Sequence, residues 1–278
     1  RVAVNGAEPP RIGDALGGVG IVVFSPSDVT IVAGAPGERR RFLDIVLSLN
    51  APGYLAALQR YRQVLKQRNA MLRDGAAPAL LAVWDEGLVE WGSRIIAERS
   101  AWLAARAEGF ARRYAAIAGG VRARLVYESA VPVGDEPVTA AEAAEAFRAE
   151  LARVAARERE RGLTLTGPHR DDLAFLMERP GGAVDLREFG SGGQQRTAAI
   201  ALRMIEAETI REARGREPIV LLDDLFAELD PGRSRRILEL LEAEERGQVV
   251  LTAPKESDLE VRRGVLPHWR IANGRVHT

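Results

Sequence analysis

The run Ile219-Val220-Leu221-Leu222-Asp223-Asp224 constrains this chain most, because it sets four aliphatic residues directly ahead of two adjacent acids. It reads as a buried strand of a parallel sheet whose carboxylates emerge at the C-terminal end, where open α/β sheets place ligands. There, one acid can hold Mg2+ and the next can orient or deprotonate a water. Upstream lies Phe189-Gly190-Ser191-Gly192-Gly193-Gln194-Gln195-Arg196. Its glycines let backbone N–H groups approach an anion, and Ser191 adds a hydroxyl just where Gln194 would begin a helix. A helix N-terminus with free amides and the positive end of its dipole suits a phosphate. Downstream, Asp230 precedes Pro231 and reads first as a helix N-cap with proline at the first helical position. Each piece by itself has a structural reading, since a Ser-Gly-Gly turn is often only a turn and a strand-end acid is often a cap.

The other segments fit around this one. Gly20 to Phe24 reads as a buried strand stopped by Ser25-Pro26, with Ser27 and Asp28 at its mouth. After the turn Gly34-Ala35-Pro36-Gly37, a helix opens through Arg39-Arg40-Arg41-Phe42-Leu43-Asp44 and runs to about Leu49. From Pro52 to Gly119 the spacing predicts two long helices. One carries Leu58, Tyr61, Leu65 and Leu72, and the second carries Leu81, Trp84, Leu88, Trp91, Ile95 and Trp102. They are expected to pack as an antiparallel hairpin with the aromatic stripe as core. A strand at Val121–Tyr127 and a helix capped by Thr139 and running to Arg161 follow, and Leu163-Thr164-Leu165 is expected to return to the sheet. Leu173–Met177 and Ala183–Leu186 form a predicted hairpin. A helix follows Ser191, Gln248–Thr252 is a further buried strand, and Trp269–Ala272 with Gly274–Val276 closes as a hairpin. The fold class is therefore α/β, a mixed sheet with flanking helices and an inserted helical lobe.

Composition limits the function. Acidic and basic residues balance at 39 each, so any nucleic-acid surface must be a local patch. Lys66 and Lys255 are the only lysines, so an arginine at any one position is weak evidence of phosphate recognition. The chain has no cysteine, hence no disulfide framework or thiolate metal site, and a cytoplasmic location is expected. No apolar run approaches the ~18 residues of a membrane span. The sequence opens at Arg1 straight into Val2-Ala3-Val4 with a hairpin signal at Asn5-Gly6, from which a preceding N-terminal segment is expected.

Taken together, Ser191 to Gln194, the Ile219–Asp224 strand and Ala227-Glu228-Leu229-Asp230 resemble the signature loop, Walker B strand and D-loop of ABC-type ATPases. Three further stretches narrow the resemblance: Pro26 to Asp44, Leu65-Lys66-Gln67-Arg68-Asn69, and Gly167-Pro168-His169-Arg170-Asp171-Asp172. With them the chain resembles the RecF family of bacterial repair ATPases related to SMC proteins, over essentially its whole length. The resemblance implies an ATPase head made of residues 1–50 and 163–278, and a helical lobe of residues 51–162. Two such heads would close face to face around ATP and Mg2+. The dimer would act at DNA gaps and junctions with RecR and RecO to help load RecA.

Carried over residue by residue, Ser191, Gly192, Gly193 and Gln194 would meet the γ-phosphate of ATP held by the other subunit. Asp223 would bind Mg2+, Asp224 would be the catalytic base, and Asp230 would face the dimer interface. Thr252 stands where many ABC transporters have a switch histidine, and Ser27 stands where the family usually has an acid. His169 and Arg170 belong to a family motif without an assigned role. The candidate DNA patch is Arg39, Arg40 and Arg41 with Lys66 and Arg68, the alternative for Arg40 being an ion pair with Asp44 along its own helix. No Gly-x-x-x-x-Gly-Lys-Ser/Thr occurs, since Lys66 follows Leu65 and Lys255 follows Pro254. A weak ABC-type ATPase is expected of the intact family protein, and no turnover of this chain by itself. The alternatives are another SMC or ABC-type head, or a non-catalytic module that binds DNA or a partner.

Overall fold

The computed structural model describes residues 3, 6–8, 19–134, 137–225, 229–243, 247–253, 269–272 and 274–277. Most of the expected hairpin at Val2–Gly6, and Ala227 and Glu228 of the Ala227–Asp230 segment, lie outside them.

Strands β1 (Ile21–Phe24), β5 (Ile219–Asp223) and β6 (Val249–Thr252) form a parallel sheet with β5 in the middle. Its register sets Phe24 beside Leu222 and Asp223 beside Thr252, so the two acids leave the sheet at the C-terminal end of its central strand. Strands β2 (Ala123–Glu128), β3 (Asp172–Arg179) and β4 (Gly182–Asp185) make a separate antiparallel sheet. β7 (Arg270–Ala272) and β8 (Arg275–His277) pair as the expected closing hairpin. Three expectations are corrected. β1 is not buried on both faces: Val22 and Phe24 point into the core while Ile21 and Val23 are 48% and 42% exposed. β6 is a strand but not a buried one, since at the far side of the sheet Val249 and Val250 are exposed. Leu163–Leu165 is not a strand, because Thr164 turns inward and its backbone N–H and hydroxyl both donate to the side-chain oxygen of Asn69.

The helices are α1 (Val29–Ala33), α2 (Pro36–Asn50), α3 (Tyr54–Arg73), α4 (Pro78–Ile117), α5 (Ala140–Arg161), α6 (Leu186–Phe189), α7 (Gly192–Arg214) and α8 (Pro231–Ala243). A short turn joins α3 to α4, and the two run along each other as the predicted hairpin. Gly92 permits their close approach to α5, because a Cβ there would lie 2.6 Å from the ring of Phe147. Thr139 and Glu142 close a reciprocal cap on α5. α7 is apolar on two sides. Ile200, Met204 and Ile210 pack against the parallel sheet, while Ala198, Leu202 and Ile205 join a larger core with Phe42, Leu103, Phe110 and Phe175.

Inside that larger core lies a polar knot centred on Arg99 of α4, which is 2% exposed. Its guanidinium donates to Asp44 at 2.8 Å, to Asp171 at 2.9 Å, to the Pro168 carbonyl at 2.7 Å and to the Tyr54 hydroxyl at 3.1 Å. Asp171 also accepts from the Tyr127 hydroxyl and from the Ala130 backbone N–H. Burial works against the Arg99 charge, but the acidic groups around it, Tyr54, Tyr127, Asp171 and Asp44, outweigh that and hold its pKa above the ordinary arginine value. Arg99→Met would leave Asp171 buried without its cation and Asp44 with only the exposed Arg62, and should cost ~3–5 kcal/mol in urea denaturation. A loss below ~1 kcal/mol would show that the knot does not hold these elements together.

Candidate nucleotide site

The first helical turn of α7 is built by its own sequence. Ser191 caps it, its Oγ accepting from the Gln194 N–H at 3.3 Å while Gln194 Oε1 accepts from the Ser191 N–H at 2.9 Å. The hydroxyl proton of Ser191 and the N–H groups of Gly192 and Gly193, the first of the helix, remain available to an anion. Gln195 ties the turn back to α6 by donating to the Leu186 and Arg187 carbonyls. Asp230 caps α8, as its sequence predicts, by accepting from the Arg233 N–H at 3.0 Å. The Arg233 guanidinium lies against Gly193, where a Cβ would come within 2.3 Å of its Nη1. The signature turn and the Asp230 cap are thus neighbours through Arg233, a residue that sequence reading missed because only folding brings it there.

The strand-end acids form a second group. Thr252 Oγ donates to Asp223 Oδ1 at 2.7 Å and accepts from the Asp224 N–H at 3.2 Å. Asp223 is exposed, with a carboxylate oxygen left for a metal ion. Asp224 has φ +48°, and no other non-glycine residue among those described has a positive φ. Holding that conformation costs on the order of 1 kcal/mol and marks functional sites more often than neutral ones. Its Oδ1 is buried with no hydrogen-bond partner among the described residues. Asp224 shares a small cleft with Ser25, Asp28 and Arg196, three residues whose only signal in the sequence is their nearness to the motifs. An orphan carboxylate oxygen beside an exposed carboxylate fits a metal and a water.

The expected DNA patch divides, and part of it is corrected. Arg39 is 2% exposed, donates to both Asp172 oxygens at 2.6 and 2.8 Å and also bonds the Val32 and Gly34 carbonyls. Arg68 is 3% exposed and bonds Asp85, Thr164 and the fully buried Glu158. Both guanidiniums are consumed by internal carboxylates and neither reaches a ligand. Arg41 and Lys66 are exposed, and Arg40 is half-buried. Arg40 does not pair with Asp44; it donates to the Asp171 carbonyl at 2.7 Å, and Asp44 takes Arg62 and Arg99 instead. Arg68→Met should therefore lower stability by ~3–5 kcal/mol, and Lys66→Ala by less than ~0.5 kcal/mol. Equal effects in thermal or urea melts would contradict this division.

The motif at 167–172 is a rigid loop packed on α3. Gly167 has φ +118°, and a Cβ on it would lie 2.5 Å from the Tyr61 hydroxyl. That hydroxyl bonds His169 Nδ1 at 2.6 Å, while Nε2 of the same ring faces the Thr164 carbonyl at 3.3 Å, shared with Arg170. Burial depresses the His169 pKa to about 4; the Thr164 carbonyl opposes the shift, and Arg170, Arg40 and Arg99 add to it. The native protein thus binds this proton less readily than the unfolded chain, so the stability it contributes is complete above the unfolded pKa and is lost as pH falls toward 4. From pH 7 to pH 5 that share is about 2 kcal/mol. Denaturation at the two pH values should show His169→Gln losing correspondingly less than the parent protein.

Comparison with known proteins matches this geometry to a family. A family model of an AAA domain, whose description extends to the AbiEii toxin of type IV TA systems, matches residues 80–253. The DNA replication and repair protein RecF of Salinibacter ruber is 39% identical over 266 residues, covering 93% of this chain and 63% of its own length. RecF of Frankia alni is 40% identical over 272 residues, covering 93% of this chain and 70% of its own. The chain thus spans less than two thirds of the first of these relatives. A solved structure of the recombination mediator protein RecF with ATPrS, in the RecFOR pathway, superimposes with a TM-score of 0.81 at 30% identity. The match covers 99% of this chain and 71% of that one, so the α/β ATPase-head fold is common to both. On relatives at this identity, matched across more than two thirds of their length in several cases, the chain belongs to the RecF family.

Proposed function

We propose that this chain is the larger part of a DNA replication and repair ATPase in which two copies close head to head around ATP. The observation that carries the proposal is Asp224, a carboxylate held in left-handed backbone with one oxygen buried and unpartnered at the end of the central strand. A water placed against that oxygen would lose its proton to it as it attacks the γ-phosphate. Asp223 would hold Mg2+, which when bound neutralises charge on the phosphates. Thr252 positions both acids, through the Asp223 carboxylate and the Asp224 N–H. Ser191, Gly192, Gly193 and Gln194 would present hydroxyl and amide donors to the γ-phosphate on the partner copy, with Asp230 beside them at the interface. A division into a head, residues 1–50 and 163–278, and a lobe, residues 51–162, belongs to this reading. So do action at DNA gaps with RecO and RecR, loading of RecA, and a cytoplasmic location. Among the described residues no helix is long and apolar enough to cross a membrane.

The absence of a Gly-Lys-Ser/Thr phosphate loop from the sequence favours a narrower reading of these 278 residues taken by themselves: they complete a nucleotide site but do not grip the β-phosphate. Calorimetry should accordingly find very weak ATP binding to this chain and no hydrolysis. Micromolar affinity would overturn that reading. Where a relative's phosphate loop is joined ahead of Arg1, Asp224→Asn should leave ATP binding and dimerisation intact and slow turnover by a factor of ~100 or more. Turnover at the parent rate would remove Asp224 as the base.

A further inference from the structure

Between α2, α3 and the 167–172 loop lies a basin of about 180 Å3. Its walls carry four guanidiniums, those of Arg40, Arg41, Arg62 and Arg99, and its floor carries Tyr61 and His169. A single carboxylate, Asp44, faces this charge, and it is already shared between Arg62 at 2.9 Å and Arg99 at 2.8 Å. Asp171, beneath, is committed to Arg99, to the Tyr127 hydroxyl and to the Ala130 N–H. Among the described residues no carboxylate lies within ion-pair distance of Arg40 or Arg41. Arg40 is therefore a half-buried cation beside another cation. Burial first, and then Arg99, disfavour its charge, and Asp172, Asp171 and Asp44 do not restore it. An anion entering the basin would relieve that repulsion and accept from several planar donor forks, the geometry arginine offers to phosphate oxygens.

The rim continues this charge outward. Arg62 and Lys66 stand four residues apart on α3, on one face and ~6 Å apart along the axis, with exposed Arg41 across from them on α2. An isolated carboxylate would use the basin and leave the rim idle, whereas a polyanion of repeating charge would engage both. We propose that the basin is a phosphate-binding site and that it seats one phosphate of a nucleic-acid backbone, with Arg41, Arg62 and Lys66 following the strand on either side. This assignment rests on the DNA-acting reading above and adds the place of contact. It drops Arg39 and Arg68, which the fold has buried, keeps Arg40, Arg41 and Lys66, and adds Arg62. His169 is neutral at neutral pH and acts as the shaped floor of the site, not as part of its charge.

The chain has three histidines, so the ring resonances of His169 can be followed directly by proton–carbon correlation NMR. Titration with inorganic phosphate, against chloride at equal ionic strength, should move the His169 signal saturably. The double variant Arg41→Ala/Arg62→Ala, altered only at exposed rim positions, should weaken that titration by roughly tenfold. In fluorescence anisotropy with a short DNA duplex, the same variant should bind more weakly and with a shallower salt dependence than the parent. Absence of a saturable His169 shift would overturn the site. A phosphate titration that is lost in the variant while duplex affinity and salt slope are unchanged would overturn the nucleic-acid assignment and leave the DNA-acting reading standing. Phosphate binding by a protein that shows no affinity for duplex would likewise overturn the nucleic-acid assignment and give the basin to free phosphate.

Discussion

The structure depends on arginine charge taken inside the protein and answered there. Arg99 joins α2, α3, α4 and the 167–172 loop through one guanidinium, and Arg39 and Arg68 repeat the arrangement on either side of it. Each is a five-donor planar group with its acceptors placed around it, so the desolvation cost of burial is met by several charge-assisted hydrogen bonds at once. Such a knot is poor at raising stability but strict about geometry, because any displaced partner leaves a charge unpaired. The 167–172 loop owes its rigidity to this strictness. Its glycine fits under Tyr61, its carbonyl at Pro168 meets Arg99, and its two aspartates are taken by Arg99 and Arg39.

Helix α7 links this knot's surroundings to the Ser191 turn and the parallel sheet. Small residues, Ala198, Ala199, Ala201 and Ala207, let it sit between the parallel sheet and the larger core, and its charged pair over that length, Arg203 and Glu206, is closed on itself. Its N-terminus carries the Ser191 turn, and further along Arg203 pairs with Asp28 just beyond β1. A movement of the turn would therefore be felt at β1, the edge strand paired with the central strand that ends before Asp224, since close-packed interiors pass displacement on. Within one copy, the Ser191 turn meets Arg233 and Asp230, while Asp223, Asp224 and Thr252 form their own cluster. These stay two separate clusters, as the proposed head-to-head closure requires.

Zero net charge hides strong local separation. The buried arginines of α2, α3 and α4, among them Arg39, Arg68 and Arg99, are neutralised by carboxylates distant in sequence, whereas exposed ones such as Arg94 and Arg112 pair only with a glutamate one turn away. The basin lies at the boundary between the two, where Arg40 has entered the protein far enough to be desolvated without acquiring a carboxylate. The four guanidiniums that line the basin outnumber the one carboxylate facing them, and a local field of that kind can recruit a polyanion where net charge cannot.

What the sequence determined by itself was local. Apolar spacing placed α3, α4 and α7, and the caps at Thr139, Ser191 and Asp230 could be read because a cap is made within three residues. The acids at the end of β5 could be read because consecutive aliphatic residues bury both faces of a strand, and a pair of charges can then sit only where that strand leaves the core. The family motifs were legible too, and with them the fold. Which arginine is structural and which is free was not. Arg39 to Asp172 spans 133 residues and Arg68 to Glu158 spans 90, and no periodicity encodes a partner at that distance. Arg99, Arg106 and Arg113, spaced by seven on a buried helix face, were a signal passed over in favour of the aromatic stripe beside them. Tertiary structure likewise decided that Leu163–Leu165 would spend its polar groups on Asn69 and not on a strand, and that Arg40 would face Arg99 and not Asp44. In each case the deciding energy was the pairing of a buried polar group, a quantity that exists only once the chain has closed around it.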